Sequence, residues 1–386
     1  MSTWTLIRRN LGRNRLRTIL TTLAVAFSIF LVCAVMTLPS VRKAVLANTA
    51  NSLHLVVHHK AGLTYWLPLA YVQRVRTLPH VVGVSHWSWF GGVYTEPKDA
   101  FPNFAVDAET VGEVWPDINW DPAALEAFKH TRNGALVGVR LMKKFGWKVG
   151  DEITLRNGIF DLSLTFKIVG QLPEQRRLGS TALLFPRQYF EEAVQRFGGW
   201  GFVGMLWVRV DQPEHINTVI AAIDDLFRNS AAETATETEH AYFANFLSSF
   251  DGLITVVMLV GFLVVAAIVL IAANTAAMSV RERISEVAVL KTIGFRRRMI
   301  FTLLLSEGLV IAGLGGLLGA GSGYLILNAG KSSWSPFLGP LGMFIMPVSV
   351  LIQGLFLALL VGMLAGAIPA RGAARLNVAA ALRQIA

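Results

Sequence analysis

Four long apolar runs constrain this chain more than any other feature of its sequence. Each run holds about 20 residues or more, enough for a helix to cross the roughly 30 Å hydrocarbon core of a membrane. The runs are Thr18–Leu38, Gly252–Met278, Ile300–Leu327 and Met346–Ile368. Only 16% of the 386 residues are charged, whereas soluble domains carry about 25%. The sequence therefore predicts a membrane protein with four transmembrane helices.

The 39–250 segment between the first two runs has the mixed composition of a folded domain outside the membrane. Its β-branched and alternating stretches predict strands, and helical spacing of apolar residues predicts helices at Leu69–Leu78 and Glu214–Arg228. The predicted strands are Leu53–His59, Val81–Trp87, Asn103–Asp107, Gly134–Val139, Glu152–Arg156, Asp161–Gly170, Thr181–Phe185 and Met205–Val210. Similar strand–helix units thus lie at both ends, with a more β-rich subdomain inserted at about 90–200.

The fold class that follows is an α+β membrane protein with a large extracytoplasmic mixed α/β domain between transmembrane helices 1 and 2. From Ala241 a helical pattern continues into the second apolar run, and no proline or glycine interrupts it before Gly252. This pattern predicts one continuous helix that leads from the domain into the membrane.

The formal charge of +10 is concentrated beside the apolar runs. Of the 35 basic residues, 14 lie in the 1–17 flank, the 281–298 segment and the 369–386 tail, whereas the 39–250 domain holds 20 basic and 21 acidic residues. Lys and Arg beside membrane spans stay on the cytoplasmic side. Both termini are therefore expected in the cytoplasm, and the domain and the short 328–345 loop outside it.

The same distribution bears on the partners of the chain. A nearly neutral domain argues against a nucleic-acid footprint, which needs a basic patch on the folded domain. The 1–17 flank interleaves apolar residues with arginines. It either lies along anionic membrane lipid as an amphipathic helix or only fixes the orientation of the chain.

The 281–298 segment is a short, charged stretch between the second and third apolar runs. At helical spacing one side of it carries Ile284, Val287, Ala288 and Lys291. Gly294 stands where a helix commonly ends in a left-handed turn. The segment is therefore predicted to be a cytoplasmic helix at 281–293, which either transmits motion or merely joins two spans.

Glu307 and Asn274 are the notable polar residues within the predicted spans. At 1.5 Å per residue, both lie about 10 to 12 Å from the inner face. A structural hydrogen bond between the two helices is the favoured interpretation. The alternative is an ionisable group on a transport path, because such groups are costly to place in lipid.

Small residues recur at every fourth position in the last two spans. They are Gly315, Gly319 and Gly323 in the third span, and Ala358, Gly362 and Gly366 in the fourth. This spacing lets helix backbones approach closely, so these glycines are expected to pack helices together. A phosphate-binding loop is excluded because no Lys-Ser/Thr pair follows the glycines.

In the 39–250 domain, Trp87 and Trp89 are the candidates for a partner or substrate surface, since tryptophan is common in binding hot spots. The alternative for each is core packing. His54, His58 and His59 are expected at the surface. A metal site there is not expected, because His54 and His58 on one strand face lie about 13 Å apart at 3.3 Å per residue.

Several motifs of the chain resemble those of one known family. They are Val280–Phe295 after the second span, Leu305–Gly308 in the third, Lys148–Ile153 in the domain, and Ile368–Arg371, Ala374–Leu376 and Ala381–Arg383 at the C-terminus. With the order of one span, a large domain and three spans, they resemble the MacB-like and FtsX-like permease subunits of ABC transporters, the mechanotransmission type. One departure is Asn377–Ala380, which replaces the usual Pro-x-Glu.

The resemblance implies an efflux-type permease of the bacterial cytoplasmic (inner) membrane that exports or extracts a substrate. It is driven by a separate cytoplasmic ATPase dimer that binds the ATP and Mg²⁺. The resemblance implies no catalytic residue, metal or cofactor in this chain. The other implied partners are a second permease protomer, in a homodimer or heterodimer, and in some systems a periplasmic adaptor protein. The residues implied to couple to the ATPase are Arg281, Glu282, Arg283, Glu286, Lys291 and Gly294.

Two other functions remain open at this point. One is an FtsX-type regulator, in which the same motion activates an extracytoplasmic partner such as a cell-wall hydrolase. The other is a membrane-anchored binding protein without any energy input.

Overall fold

The computed structural model describes residues 12–47, 49, 52–62, 64–96, 99–116, 118–158, 161–172, 180–195, 201–329 and 346–375. The expectations for residues 1–11, for most of the 328–345 loop and for the tail beyond 375 lie outside these residues. The chain divides into two units. The helical unit comprises Phe250–Gly330 with the segments before Val41 and after Phe344, and the sheet unit consists mainly of Arg42–Ser249.

The secondary structure contains twelve helices and eleven strands within the described residues. The helices are α1 (Arg15–Ala47), α2 (Ala70–Arg76), α3 (Val111–Val114), α4 (Pro122–His130), α5 (Val139–Phe145), α6 (Arg187–Val194), α7 (Ile216–Phe227), α8 (Glu239–Ser248), α9 (Asp251–Glu282), α10 (Ile284–Thr292), α11 (Arg297–Ala329) and α12 (Val348–Arg375). The strands are β1 (His54–His59), β2 (Leu67–Pro68), β3 (Val81–Trp89), β4 (Asn103–Val106), β5 (Gly134–Gly138), β6 (Glu152–Asn157), β7 (Leu162–Leu172), β8 (Leu183–Pro186), β9 (Phe202–Val203), β10 (Met205–Val210) and β11 (Thr234–Thr238). A short 3₁₀ turn, Pro213–His215, precedes α7.

Four helices of the helical unit, α1, α9, α11 and α12, are long and apolar enough to cross a membrane. Each contains most or all of one predicted apolar run and extends beyond it at one or both ends. The predicted four-span architecture with a mixed α/β domain after the first span is therefore confirmed. The expected continuous helix is wrong, because α8 ends at Ser248 and α9 begins at Asp251. A turn at Ser249 and Phe250 separates the two helices.

The sheet unit is built on one nine-stranded mixed sheet in the order β11-β1-β10-β3-β4-β8-β5-β7-β6. All eight predicted strands are present in it, within a few residues of their expected bounds. The strands of the 90–200 segment form one half of this sheet and bury their own apolar cluster, which includes Phe90, Phe166 and Phe185. They continue the other half through the β3–β4 pairing. The β-rich segment thus forms the half of the nine-stranded sheet that runs from β4 to β6 in the strand order.

The β11 strand is polar and was not predicted. Threonine favours strands because its branched Cβ suits a pleated surface. Thr234 and Thr236 face inward, and the Thr236 hydroxyl donates to Asp224 of α7 at 2.7 Å. The buried hydroxyls are thereby satisfied, which permits a strand without apolar residues at these positions.

Trp87 lies in the core of the sheet unit, so its proposed surface role is wrong. Its side chain is 5% exposed and packs against Phe104, Trp115 and Trp207. The cause is the central position of β3, which pairs with β10 on one side and β4 on the other. Trp89, at the end of the same strand, is 52% exposed and remains the candidate for a partner surface.

His54 is also buried, contrary to the expectation of a surface histidine. It is 3% exposed and belongs to a polar cluster with Ser52 and Glu239. The His54 Nδ1 atom lies 2.7 Å from the Ser52 hydroxyl and 3.3 Å from the Glu239 carboxylate, and the Ser52 hydroxyl donates to Glu239. His54 Nε2 lies 2.7 Å from the Val114 carbonyl. Both ring nitrogens have partners, which offsets the cost of burying the ring.

His86, on β3, is expected to make the stability of the sheet unit depend on pH. Burial lowers its pKa to about 4, below the roughly 6.5 of an unfolded chain. Between these values the unfolded state binds more protons, so stability is full above pH 6.5 and falls as the pH drops through this window. We expect a loss of about 2 kcal/mol from pH 7 to pH 5.

Denaturant unfolding of the full chain, followed by tryptophan fluorescence, measures this effect. His86→Gln cannot take up the proton and is expected to flatten the slope between pH 7 and pH 5. An unchanged slope in this variant would assign the pH dependence to other groups.

Candidate coupling site

The 281–298 segment is a helical break followed by a short separate helix. The α9 helix continues to Glu282, and Arg283 leaves helical geometry at φ −115°, ψ 17°. The α10 helix then ends at Thr292, and Gly294 has a φ of 101°. A residue with a Cβ rarely adopts that conformation, so glycine suits this turn. The predicted left-handed end at Gly294 is confirmed, whereas the predicted single helix from 281 is divided at Arg283.

Two glutamates of this segment pair with arginines that lie near the start of α1. Arg17 donates to Glu282 at 2.9 Å and to Ser279 at 3.3 Å, and Arg13 donates to Glu286. The hydrogen bond with Glu286 raises the pKa of Arg13. Both Arg13 and Glu286 are substantially exposed, and exposed ion pairs contribute little to stability because solvent screens them. The Arg13–Glu286 pair therefore orients the segment more than it stabilises it.

Glu307, in the third span, forms an ion pair with Arg283. The Arg283 Nη1 atom donates to both carboxylate oxygens, at 3.2 and 3.1 Å, and the two side chains are only 9% and 12% exposed. The expected pairing of Glu307 with Asn274 is thus replaced by one with Arg283. The long arginine side chain reaches inward from the break between α9 and α10, a contact that a comparison of depth along the helices misses.

The other side of α10 contacts the fourth span. Val287 and Ala288 are buried, and the Lys291 ammonium donates to the carbonyl oxygen of Ala374 near the end of α12 at 2.9 Å. Desolvation lowers the pKa of Lys291. The short helix therefore presents Lys291 to the fourth span, whereas Arg281, at the end of α9, is exposed.

The glycine stripes bring the spans into backbone contact. A Cβ at Gly319 would overlap the carbonyl oxygen of Ala26 in α1, and one at Gly315 would lie 3.0 Å from the carbonyl oxygen of Thr22. A Cβ at Gly323 would lie 3.4 Å from the Phe30 ring. These three glycines thus form the surface of α11 that contacts α1.

The fourth-span glycines pack on a different side of α11. A Cβ at Gly362 would lie 3.1 Å from the carbonyl oxygen of Gly308, and one at Gly366 would lie 3.3 Å from the Leu305 side chain. The helix α11 is therefore packed closely on two sides, against α1 and against α12. Movement of one of these three helices along another would disturb backbone contacts.

Arg13, Arg17 and Ala374 are partners of the segment that the sequence interpretation did not identify. A signal for the arginines was present. Arg13 and Arg17 are four residues apart, as are Glu282 and Glu286, and side chains at this spacing share a helix face. Two opposite charge pairs with the same spacing are complementary. The carbonyl of Ala374 carries no such signal.

Comparisons with known proteins agree along most of the chain. The family model described as the MacB-like periplasmic core domain matches residues 18–226, and that of the FtsX-like permease C-terminal region matches residues 257–378. YknZ of Bacillus subtilis (strain 168), an uncharacterized ABC transporter permease, is 32% identical over 112 residues. That match covers 28% of this chain and 26%, about a quarter, of the relative.

Solved structures of similar domains align with this chain at low identity. The extracellular domain of the noncanonic ABC-type transporter YknZ from Gram-positive bacteria is 12% identical, with a TM-score of 0.35 over 48% of this chain and 98% of that chain. The periplasmic region of MacB from Actinobacillus actinomycetemcomitans is 9% identical, with a TM-score of 0.39 over 53% of this chain and 95% of that chain.

Proposed function

This chain belongs to the MacB-like and FtsX-like permeases of ABC transporters, and we propose that it transmits ATP-driven motion to its sheet unit. It is a multi-pass membrane protein and the membrane subunit of a transporter. The proposed motion drives the export or extraction of a substrate on the extracytoplasmic side. ATP and Mg²⁺ are bound by a separate ATPase dimer on the cytoplasmic side.

The observation that carries this proposal is the position of the 281–298 segment among the four spans. The segment continues α9 directly. It pairs with arginines at the start of α1, with Glu307 of α11 and with the end of α12. A displacement of α10 would therefore change contacts with every transmembrane helix. Arg281, Glu282, Arg283, Glu286, Lys291 and Gly294 form the proposed coupling site.

The arrangement of the partners follows from the same proposal. The termini and the 281–298 segment face the cytoplasm of a bacterial cell, and the sheet unit faces the other side. A second permease protomer completes the assembly. The α9 helix supports this, because most of its apolar side chains, such as Phe262 and Leu270, lie at the surface of the helical unit and are available to lipid or to the second protomer.

Charge reversal in the coupling segment tests this function. In Glu282→Lys/Glu286→Lys, we expect membrane insertion to be retained and the response of the sheet unit to ATP to be lost. The full chain would be purified with its ATPase in lipid nanodiscs. Hydrogen exchange of residues 52–249, with and without a non-hydrolysable ATP analogue, reports the response, and ATP hydrolysis is measured in parallel.

A charge swap separates contact with the ATPase from packing within the chain. The variant Arg13→Glu/Arg17→Glu/Glu282→Arg/Glu286→Arg keeps both ion pairs but reverses the charge that the segment presents. Under the proposal it stays uncoupled. If it regains the ATP response, the glutamates act only inside the chain, and their proposed contact with the ATPase is wrong. Glu126→Lys, an exposed reversal in the sheet unit, is the matched control.

A further inference from the structure

Two histidines and one aspartate from separate loops meet at the surface of the sheet unit. His80 lies in the loop between α2 and β3, and Asp211 and His215 follow β10. The loops are adjacent because β10 and β3 pair antiparallel, with Val210 opposite Val81. The backbone amide of Asp211 also donates to the carbonyl oxygen of His80 at 3.1 Å. The fold therefore holds together residues that are 131 positions apart.

The imidazole rings of His80 and His215 both contact the Asp211 carboxylate. His80 Nδ1 lies 3.0 Å from Oδ2, and His215 Nδ1 lies 2.8 Å from Oδ1. The two imidazole rings stack with their centroids 3.6 Å apart. One potential ligand atom from each of the three residues lies within 4.8 Å of the others. Two imidazole nitrogens and a carboxylate thus lie close enough together to reach one ion.

The backbone of His80 is held in an unusual conformation. Its φ is 67°, in the left-handed region that few residues other than glycine adopt. Such a conformation costs of order 1 kcal/mol or more, and it persists only where the surrounding structure imposes it. Here it directs the ring of His80 toward Asp211 and His215.

We propose that His80, Asp211 and His215 bind a divalent transition-metal ion of the Zn²⁺ class. Imidazole nitrogen and carboxylate oxygen suit metals of this class, and a site with three protein ligands keeps a coordination position open. The side chains are 39%, 32% and 30% exposed, so water or an external ligand can reach that position. The metal would connect the turn before β3 to the turn after β10.

Equilibrium dialysis of the untagged full chain in detergent against Zn²⁺ tests the site. We expect one Zn²⁺ per chain from this cluster. Asp211→Asn removes the carboxylate charge, and His80→Asn removes a nitrogen while keeping a residue that tolerates the left-handed conformation. Each is expected to weaken binding by at least about tenfold, since even partners of ligands change affinity by 10- to 100-fold. His130→Gln, which removes an exposed histidine paired with Glu126, is the matched control and should bind like the wild type.

Two further measurements keep the result unambiguous. Co²⁺ in place of Zn²⁺ should give visible d–d absorption in the wild type and in His130→Gln, but not in Asp211→Asn. The melting temperature without metal should be similar in all variants, and Zn²⁺ should raise it only where the cluster is intact. Equal Zn²⁺ binding by wild type and Asp211→Asn, or no binding by the wild type, overturns the proposal.

Discussion

Replacing Glu307 with leucine is expected to destabilise the helical unit by about 3–5 kcal/mol. The reason is that the Arg283 side chain is only 9% exposed and would lose both of its hydrogen bonds to the Glu307 carboxylate. Cys33, the single cysteine of the chain, is buried in this unit. The rate at which a maleimide labels Cys33 in the full chain in mild detergent therefore reports opening of the unit. We expect labelling to be more than about a hundredfold faster in Glu307→Leu, at 1.4 kcal/mol per factor of ten.

Two controls distinguish the buried charge from a general effect of substitution. Adding Arg283→Met to Glu307→Leu removes both charges and is expected to restore most of the stability, because an apolar pair of similar volume is often neutral. Arg13→Gln/Glu286→Gln removes an exposed pair of the same segment and should leave the labelling rate close to that of the wild type, because solvent screens exposed pairs. Labelling of Glu307→Leu at the wild-type rate would contradict the buried ion pair.

The second large effect is expected at Gly319. In Gly319→Ala the new methyl group would overlap the carbonyl oxygen of Ala26, a backbone atom that cannot rotate away. The helices α1 and α11 must then separate, and overpacking of this kind costs about 1–3 kcal/mol or more. Cys33 lies on α1, two turns beyond Ala26, so its labelling rate should rise by about tenfold to a hundredfold.

Gly321 offers a matched control on the same helix. A Cβ there meets nothing within 4 Å among the described residues. Gly321→Ala should therefore be neutral or slightly stabilising, by up to about 1 kcal/mol, because alanine has a higher helix propensity than glycine. If Gly319→Ala and Gly321→Ala behave alike, α1 and α11 do not pack through the Gly319 backbone.

The parts of the fold that could be predicted from the sequence are those that depend on local patterns. The four apolar runs, the alternation of β1 and β10 and the turn at Gly294 each carry their signal within a few residues. The β11 strand could not be predicted from its own residues, because its buried threonine hydroxyls depend on a distant partner, Asp224. Trp87 was misjudged because its burial depends on both neighbours of β3, which only the sheet order reveals.

The candidate sites were harder to predict, because their contacts join residues far apart in sequence. The motifs located the coupling segment, but the partner of Glu307 depends on where the chain breaks between α9 and α10. His80 and Asp211 carry no shared signal in the sequence. They meet because β10 pairs with β3, a pairing between strands that are more than 100 residues apart.

The polar cluster of Ser52, His54 and Glu239 has a mechanical consequence. The start of β1 lies opposite the end of β11, with Leu55 across from Thr238, so the chain reaches and leaves this ladder at the same end. A force that pulls the segment before β1 away from the segment after β11 would break the hydrogen bonds of the ladder one after another. The cluster lies at the end of the ladder where the two chain segments separate, so its hydrogen bonds are the first to be strained. Hydrogen bonds to a carboxylate are stronger than neutral ones, so this end of the ladder is expected to resist separation more than neutral hydrogen bonds alone would.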